Sequence, residues 1–148
     1  MDIVIKNLSK DYLERNIDEF INILKEFPYE YWNKEHFLLD LPNKFDLSLY
    51  ALKDNMLVGY IIASQKEDYA YIHKFMVRNE FRSFGIGSKL QQGLEHNSLS
   101  LMLYKIRLVV YSFNEKAISF YKKHNYKVTG ERFDRDLRKL IVMNKKLQ

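Results

Sequence analysis

The segment RSFGIG, residues 82–87, lies between a strand pattern and a helix pattern, and it limits the possible folds more than any other part of the sequence. Upstream, aromatic and branched apolar residues run up to Val77, which is typical of a strand. Downstream, apolar residues recur every four positions at Ile86, Leu90 and Leu94, which predicts a helix that begins at the first glycine. The chain therefore passes from a strand into a helix over two closely spaced glycines.

This junction has the features of an anion site. The first N–H groups of a helix have no internal partner, and the helix dipole adds partial positive charge there. Glycine leaves out the Cβ atom that would block a ligand, and Arg78, Arg82 and Lys89 are expected to add mobile positive charge nearby. The segment predicts a cradle for a phosphate or diphosphate, with a purely structural turn as the alternative. Neither a dinucleotide fingerprint nor a Walker loop fits the spacing of the glycines.

The remaining patterns predict a single α+β domain over residues 1–148 with the order βααβββαβαββ. One helix is expected over residues 9–27 and a shorter, aromatic one over residues 29–41. Three strands follow, at about residues 47–52, 57–65 and 69–77. Asp54–Asn55 and Glu67–Asp68 are expected at the two reversals, where turn-tolerant residues belong, and a hairpin closes the chain.

Two motifs at this separation resemble the GNAT superfamily of acyl-CoA-dependent N-acetyltransferases. RSFGIG fits the signature Arg/Gln-x-x-Gly-x-Gly/Ala, and NEKAISFYKKHNY, from Asn114, fits Asn-x-x-Ala-x-x-Leu/Phe-Tyr-x-x-x-Gly-Phe. The resemblance extends from about Leu47 to the C-terminus, and it implies a mixed, mostly antiparallel sheet of about seven strands flanked by about four helices. The Gly-Phe pair is replaced by Asn125-Tyr126. Asn adopts the left-handed conformation more readily than other non-glycine residues, so it can end the helix in place of glycine.

The second motif supplies a candidate acid. The phenol of Tyr121, with an ordinary pKa of about 10, keeps its proton at neutral pH. The resemblance implies that it protonates the coenzyme A thiolate as the thioester breaks. The alternative is a packing role, because Ala117 and Ile118 share its helix face. Asn114 is expected to cap this helix, and the resemblance adds that it lies near the pantetheine arm.

The base is harder to assign. Strand alternation predicts that Tyr71, His73, Phe75 and Val77 share one face. His73 has an ordinary pKa near 6.5 and is the candidate base, with a structural histidine as the alternative. Some family members carry a glutamate at the position of Val109, so that assignment does not transfer.

The resemblance implies direct transfer from acetyl-CoA to a primary amine in a ternary complex. It assigns the pantetheine and thioester to the backbone of Phe75, Met76 and Val77, and the diphosphate to Arg82, Ser83, Phe84, Gly85, Ile86, Gly87 and Ser88. Aromatic residues are expected to line the acceptor site: Tyr29, Tyr31, Trp32 and Tyr71. A helix buried by its aromatic face is the alternative, and the sequence does not distinguish a small amine from a protein amino group.

Composition limits the other function classes. The chain has no cysteine and four scattered histidines, so no metal site is expected, and no apolar run is long enough for a membrane helix. Residues 122–146 hold nine Lys or Arg and three Asp or Glu, which suits a solvated face or a phosphate-bearing ligand. No nucleic-acid reader motif accompanies this charge. We expect a cytoplasmic enzyme, with a homodimer as one option and an acyl-CoA sensor without turnover as the alternative function.

Overall fold

The computed structural model of the chain describes residues 2–148. In chain order the elements are β1 Ile3–Asn7, α1 Lys10–Arg15, α2 Ile17–Leu24, α3 Lys34–Leu38, α4 Lys44–Leu47, β2 Leu49–Lys53, β3 Met56–Lys66, β4 Tyr69–Val77, α5 Ile86–Ser100, β5 Lys105–Tyr111, α6 Glu115–Lys123, β6 Lys127–Phe133 and β7 Lys139–Lys146. A short 3-10 helix, Asn79–Phe84, joins β4 to α5. The predicted fold class is confirmed.

The seven strands form one sheet in the order β1-β2-β3-β4-β5-β7-β6. Every neighbouring pair is antiparallel except β4 and β5, which are parallel. Those two strands pair only at Ala70–Ile106 and at Tyr71–Arg107. Along the described parts of both strands they then separate, so the edge of β4 that faces β5 offers unpaired peptide groups to a ligand.

Each face of the sheet carries its own apolar core. On one face α5 and α6 pack through residues such as Leu90, Leu94 and Tyr121. On the other, α1 to α3 pack through residues such as Phe20 and Phe37. The opening between β4 and β5 therefore joins a side built by α5 and α6 to a side built by the N-terminal helices.

Local turn chemistry was predicted correctly. Asp54, Asn55 and Glu67 have left-handed φ values of 51°, 64° and 50° at the two hairpin reversals. Asn125, with φ 70°, ends α6, and its N–H donates to the Lys122 carbonyl at 3.0 Å. Asn125 thus replaces the glycine of the motif.

The N-terminal helices differ from the prediction. The first is divided into α1 and α2 at Asn16, whose side-chain amide donates to the Tyr12 carbonyl at 2.9 Å. Such a local bond competes with the regular helix, although the apolar face continues across the break. The aromatic segment forms only the short α3, which begins where the Asn33 side chain accepts the His36 N–H at 2.8 Å. The single-turn helix α4 was not predicted.

Strand β4 contains one extra residue at His73. Ile62 of β3 pairs with Lys74, and Ala63 pairs with Ile72, so His73 has no partner across that ladder. In such a β-bulge two residues oppose one, and the alternation of side chains changes phase.

The bulge corrects the predicted face of β4. Phe75 and Val77 pack on the side of α5 and α6. The His73 ring instead lies 5.7 Å from the Trp32 ring and 5.0 Å from the Tyr71 ring, on the side of the N-terminal helices. The prediction that all four β4 residues share one face is therefore wrong, because it assumed an unbroken period of two.

Candidate functional site

The first turn of α5 is shaped by Gly85. This residue has φ 74°, a conformation that glycine adopts without the steric cost of a Cβ. A Cβ built there would meet no atom within 4 Å, so the turn is open on this side. The first backbone hydrogen bond of α5 runs from the Lys89 N–H to the Gly85 carbonyl at 3.2 Å.

Three successive amides at this turn are free. Within residues 2–148, the N–H groups of Ile86, Gly87 and Ser88 have no hydrogen-bond acceptor. They lie at the positive end of a 15-residue helix. The arrangement is suited to an anion such as a diphosphate.

Gly87 has a different purpose from the one predicted. A Cβ at this position would lie 3.2 Å from Cε1 of Phe120 on α6. Phe120 in turn lies edge-on to Phe75 of β4, with ring centroids 5.6 Å apart. The missing side chain makes room for α6 rather than for a ligand, and it brings α6 against the turn.

The two arginines near the turn have separate roles. Arg82 is exposed, and its guanidinium lies 4.5 Å from the Phe27 ring centre, where it remains accessible to an anion. Arg78 donates to the Leu57 carbonyl at 2.8 Å and to the Glu19 carboxylate at 2.7 Å. The expectation that Arg78 adds mobile charge is therefore wrong, because this side chain holds α2 against the sheet.

Tyr121 lies on the face of α6 that it shares with Ala117 and Ile118. It is buried, with its ring 6.1 Å from that of Phe75. Burial, and then the negative charge of Glu30, raise the pKa of the Tyr121 phenol well above its usual value. The phenol is therefore protonated throughout the physiological pH range.

The N-terminus of α6 is capped as predicted. The Asn114 side chain accepts the Ala117 N–H at 3.3 Å. Asn114 follows directly after the end of β5 and its turn, so it lies at the same end of the sheet as the β4–β5 opening.

The predicted coenzyme residues of β4 contribute mainly backbone. Phe75, Met76 and Val77 pair with β3 on one edge, and their other edge faces the opening. Met76 is buried in the core of the N-terminal helices, away from Phe75 and Val77. The side chains thus anchor the strand, and the peptide groups are what the strand can offer a ligand.

His73 lies in an environment that weakens it as a base. Its Nε2 is 2.7 Å from the Ser64 hydroxyl. Burial lowers the pKa of His73 to about 4, and the positive charges of Lys66, Lys44 and Lys74 contribute in the same direction. The imidazole is neutral at physiological pH, but it has little tendency to take up a proton.

The predicted acceptor residues do not form one cluster. Trp32 and Tyr71 both contact His73. Tyr31 is 71% exposed and remains at the surface. Tyr29 contacts Phe113 instead, with ring centroids 4.6 Å apart.

Glu30 and Lys74 are functional candidates that the sequence interpretation missed. The Glu30 carboxylate accepts a hydrogen bond from the Lys74 ammonium, which lies 5.7 Å from the Trp32 ring centre. Glu30 also raises the pKa of Tyr121 and of Tyr111. The signal was a lone carboxylate within the aromatic run FPYEYW.

A chain of contacts runs from Tyr29 to Asp134 beyond the C-terminal end of β5, where β4 and β5 have separated. Phe113 is stacked on Tyr111 at 5.0 Å, in addition to its contact with Tyr29. The Tyr111 hydroxyl donates to the Asp134 carboxylate at 3.1 Å, and Arg138 also donates to it. Three loops distant in sequence therefore meet above the opening.

The chain matches the model of the acetyltransferase (GNAT) family over residues 17–126. The chain belongs to the GNAT acetyltransferase family. The predicted membership of this family and the predicted assignment as an acyltransferase are confirmed.

Solved structures share the GNAT fold over nearly the whole chain. Ard1 from Thermoplasma volcanium is 24% identical, with a TM-score of 0.88, and 100% of this chain and 99% of that chain are covered. The PaiA N-acetyltransferase of Thermoplasma acidophilum in complex with coenzyme A is 23% identical, with a TM-score of 0.78 and 99% of both chains covered. Arabidopsis thaliana Naa50 in complex with the bisubstrate analogue CoA-Ac-MVNAL is 20% identical, with a TM-score of 0.79 and 99% of both chains covered.

Carboxylates neutralise part of the basic C-terminal segment, residues 122–146. Arg138, Lys139 and Lys145 pair with Asp134, Glu131 and Glu95.

In residues 2–148, no helix is both long and apolar enough to cross a membrane.

Proposed function

We propose that this protein transfers the acetyl group of acetyl-CoA to a primary amine by direct attack in a ternary complex. The observation that carries the proposal is the row of free amides from Ile86 to Ser88, which adjoins a strand opening next to the buried, protonated Tyr121. The amides suit a diphosphate, the opening suits a pantetheine arm, and Tyr121 lies beside the reacting end.

The coenzyme is proposed to run from the α5 turn into the opening. The diphosphate rests on residues 83–88, with Arg82 as an added cation. The pantetheine follows the free edge of β4 from Val77 to Phe75 as an added strand would, with Asn114 nearby.

In the reaction the amine nitrogen attacks the thioester carbonyl carbon, the C–N bond forms and the C–S bond breaks. The sulfur leaves with the electron pair of that bond, and the Tyr121 phenol hydrogen-bonds to it and supplies its proton. Burial disfavours the thiolate as well as the phenolate, so the raised pKa of the phenol is offset by a raised pKa of the leaving thiol. The amine attacks in its neutral form, so its nitrogen becomes positively charged as the C–N bond forms, and the proton that it then loses goes to solvent or to a nearby base. A proton from solvent restores the Tyr121 phenol for the next turnover.

The α-amino group of a peptide is the proposed acceptor class. An α-amine has a pKa of about 8, whereas that of a lysine side chain is about 10.4, so the α-amine needs less help from a base. This suits a site whose histidine has a strongly lowered pKa. Naa50, one structural neighbour, is named in complex with an analogue that carries the sequence MVNAL. Cytoplasmic location and homodimer formation stay predictions.

The experiment is an acceptor screen followed by thiol release from acetyl-CoA. We expect turnover with short peptides that have a free N-terminus, and none when the same peptides are N-terminally blocked. Lysine-only peptides and small amines are the comparison acceptors. Acetyl-CoA that raises the melting temperature without any turnover on the panel would favour the sensor function instead.

Replacement of His73 by Ala tests the candidate base. Because burial holds the His73 pKa at about 4, we expect the acid limb of the pH–rate profile between pH 5 and 9 to follow the acceptor amine rather than this imidazole. The His73→Ala profile should then keep the apparent pKa of the wild type, with kcat reduced by less than about tenfold from lost packing. A limb that disappears in the variant would make His73 the base.

A further inference from the structure

His124 lies beside the anion-binding turn without a role in the proposed function so far. It follows the last residue of α6, and its ring is 4.3 Å from that of Phe120. Phe120 in turn fills the space left by Gly87. The His124 Nε2 is 3.1 Å from the Ser88 hydroxyl, so the imidazole is held against the first turn of α5 by two contacts.

The direction of the Ser88 side chain places its contact with His124 at the N-terminal end of α5, where the free amides lie. Helical side chains lean toward the helix N-terminus, so the Ser88 hydroxyl lies about level with the free amides that precede it. His124 is therefore at the rim of the amide row, within reach of an anion that occupies it.

Charged groups from three elements surround the imidazole. Burial lowers the pKa of His124, as do Lys145 of β7 and Lys123 of α6, while Glu95 of α5 raises it. Glu95 and Lys145 pair with each other at 2.7 Å, so their opposite effects on the pKa of His124 largely cancel. His124 is thus neutral at pH 7 in the ligand-free protein, and a bound phosphate would favour its charged form.

We propose that His124 is a coenzyme-binding residue that takes up a proton when the diphosphate of coenzyme A occupies the α5 turn, and then donates a hydrogen bond to a phosphate oxygen beside Ser88. The inference rests on the proposed function, since it requires the diphosphate at this turn.

The sign of the resulting pH dependence follows from linkage. The pKa of His124 is lowered in the free protein and raised by the bound anion, so the complex binds more protons than its parts. Affinity for the coenzyme should therefore increase as the pH falls from above the bound-state pKa to below the free-state pKa, and then level off.

The test is calorimetric titration with coenzyme A and with 3′-dephospho-coenzyme A, which keeps the diphosphate, between pH 5.5 and 8.5. Since a charge-assisted hydrogen bond is involved, we expect wild-type protein to bind both ligands about tenfold more tightly at the acid end. Titration in two buffers of different ionisation enthalpy should show net proton uptake. The variant His124→Gln, which keeps a polar contact to Ser88 but cannot titrate, should lose both effects.

His96→Gln is the matched control, because His96 is an exposed histidine further along α5, and it should behave as the wild type. The inference would be overturned if the affinity of His124→Gln for the coenzyme kept the same pH dependence as that of the wild type. It would also be overturned if the wild-type affinity for 3′-dephospho-coenzyme A did not change with pH. Melting temperatures without ligand establish that the variant is folded. If wild-type protein bound neither ligand at any pH, the proposed function itself would fail, which is a separate result.

Discussion

Tyr121→Phe is expected to lower kcat about 100-fold or more, the size of effect that general acid catalysis commonly has. The phenyl ring keeps the contacts of Tyr121 with Phe75 and Tyr126, so the fold and the binding of acetyl-CoA should change little. The substitution removes only the hydroxyl that is proposed to protonate the leaving sulfur. Steady-state kinetics by thiol release gives kcat, and calorimetry gives the Kd of acetyl-CoA.

Tyr104→Phe serves as the control, because Tyr104 is an exposed tyrosine just before β5 and should tolerate the change. If Tyr121→Phe kept kcat within about twofold of the wild type, the phenol would have no part in the mechanism. Loss of coenzyme binding together with turnover would assign Tyr121 to packing instead.

Gly87→Val is expected to weaken binding of acetyl-CoA about 10- to 100-fold, the range that overpacking of a tight contact costs. A Cβ already lies 3.2 Å from Phe120, so the branched side chain must displace α6 from the α5 turn or bend the turn itself. Either change disturbs the row of amides. Calorimetric titration with acetyl-CoA measures the effect, and the melting temperature without ligand reports whether the variant folds.

Gly130→Ala is the control. Gly130 lies in β6, outside the proposed coenzyme site, and its added Cβ would make an ordinary contact at 3.8 Å from the Val142 Cβ, so binding should stay within about threefold of the wild type. A folded Gly87→Val protein that binds acetyl-CoA as well as the wild type would show that the diphosphate does not rest on this turn.

Features that depend on neighbouring residues along the chain could be predicted from the sequence. The start of α5 after Gly85, the Asn114 cap and the left-handed Asn125 are all set by backbone preferences and hydrogen bonds within a few residues. The two motifs, at their spacing, then identified the family and the sheet that it implies.

Features that depend on contacts across the fold could not be predicted from the sequence. The bulge at His73 is a mismatch between two strands, and a period-of-two reading of β4 alone cannot detect it. Arg78 was expected to be mobile because its partner, Glu19, is 59 residues away in the chain.

The sequence by itself determined where the open helix start and the candidate tyrosine occur, because both are properties of short local segments. Only the tertiary structure decided what surrounds them: Phe120 against Gly87, His124 against Ser88, and the charge of Glu30 acting on Tyr121. The physical reason is that burial and electrostatic interactions depend on distance in space, and strand pairing and helix packing set those distances.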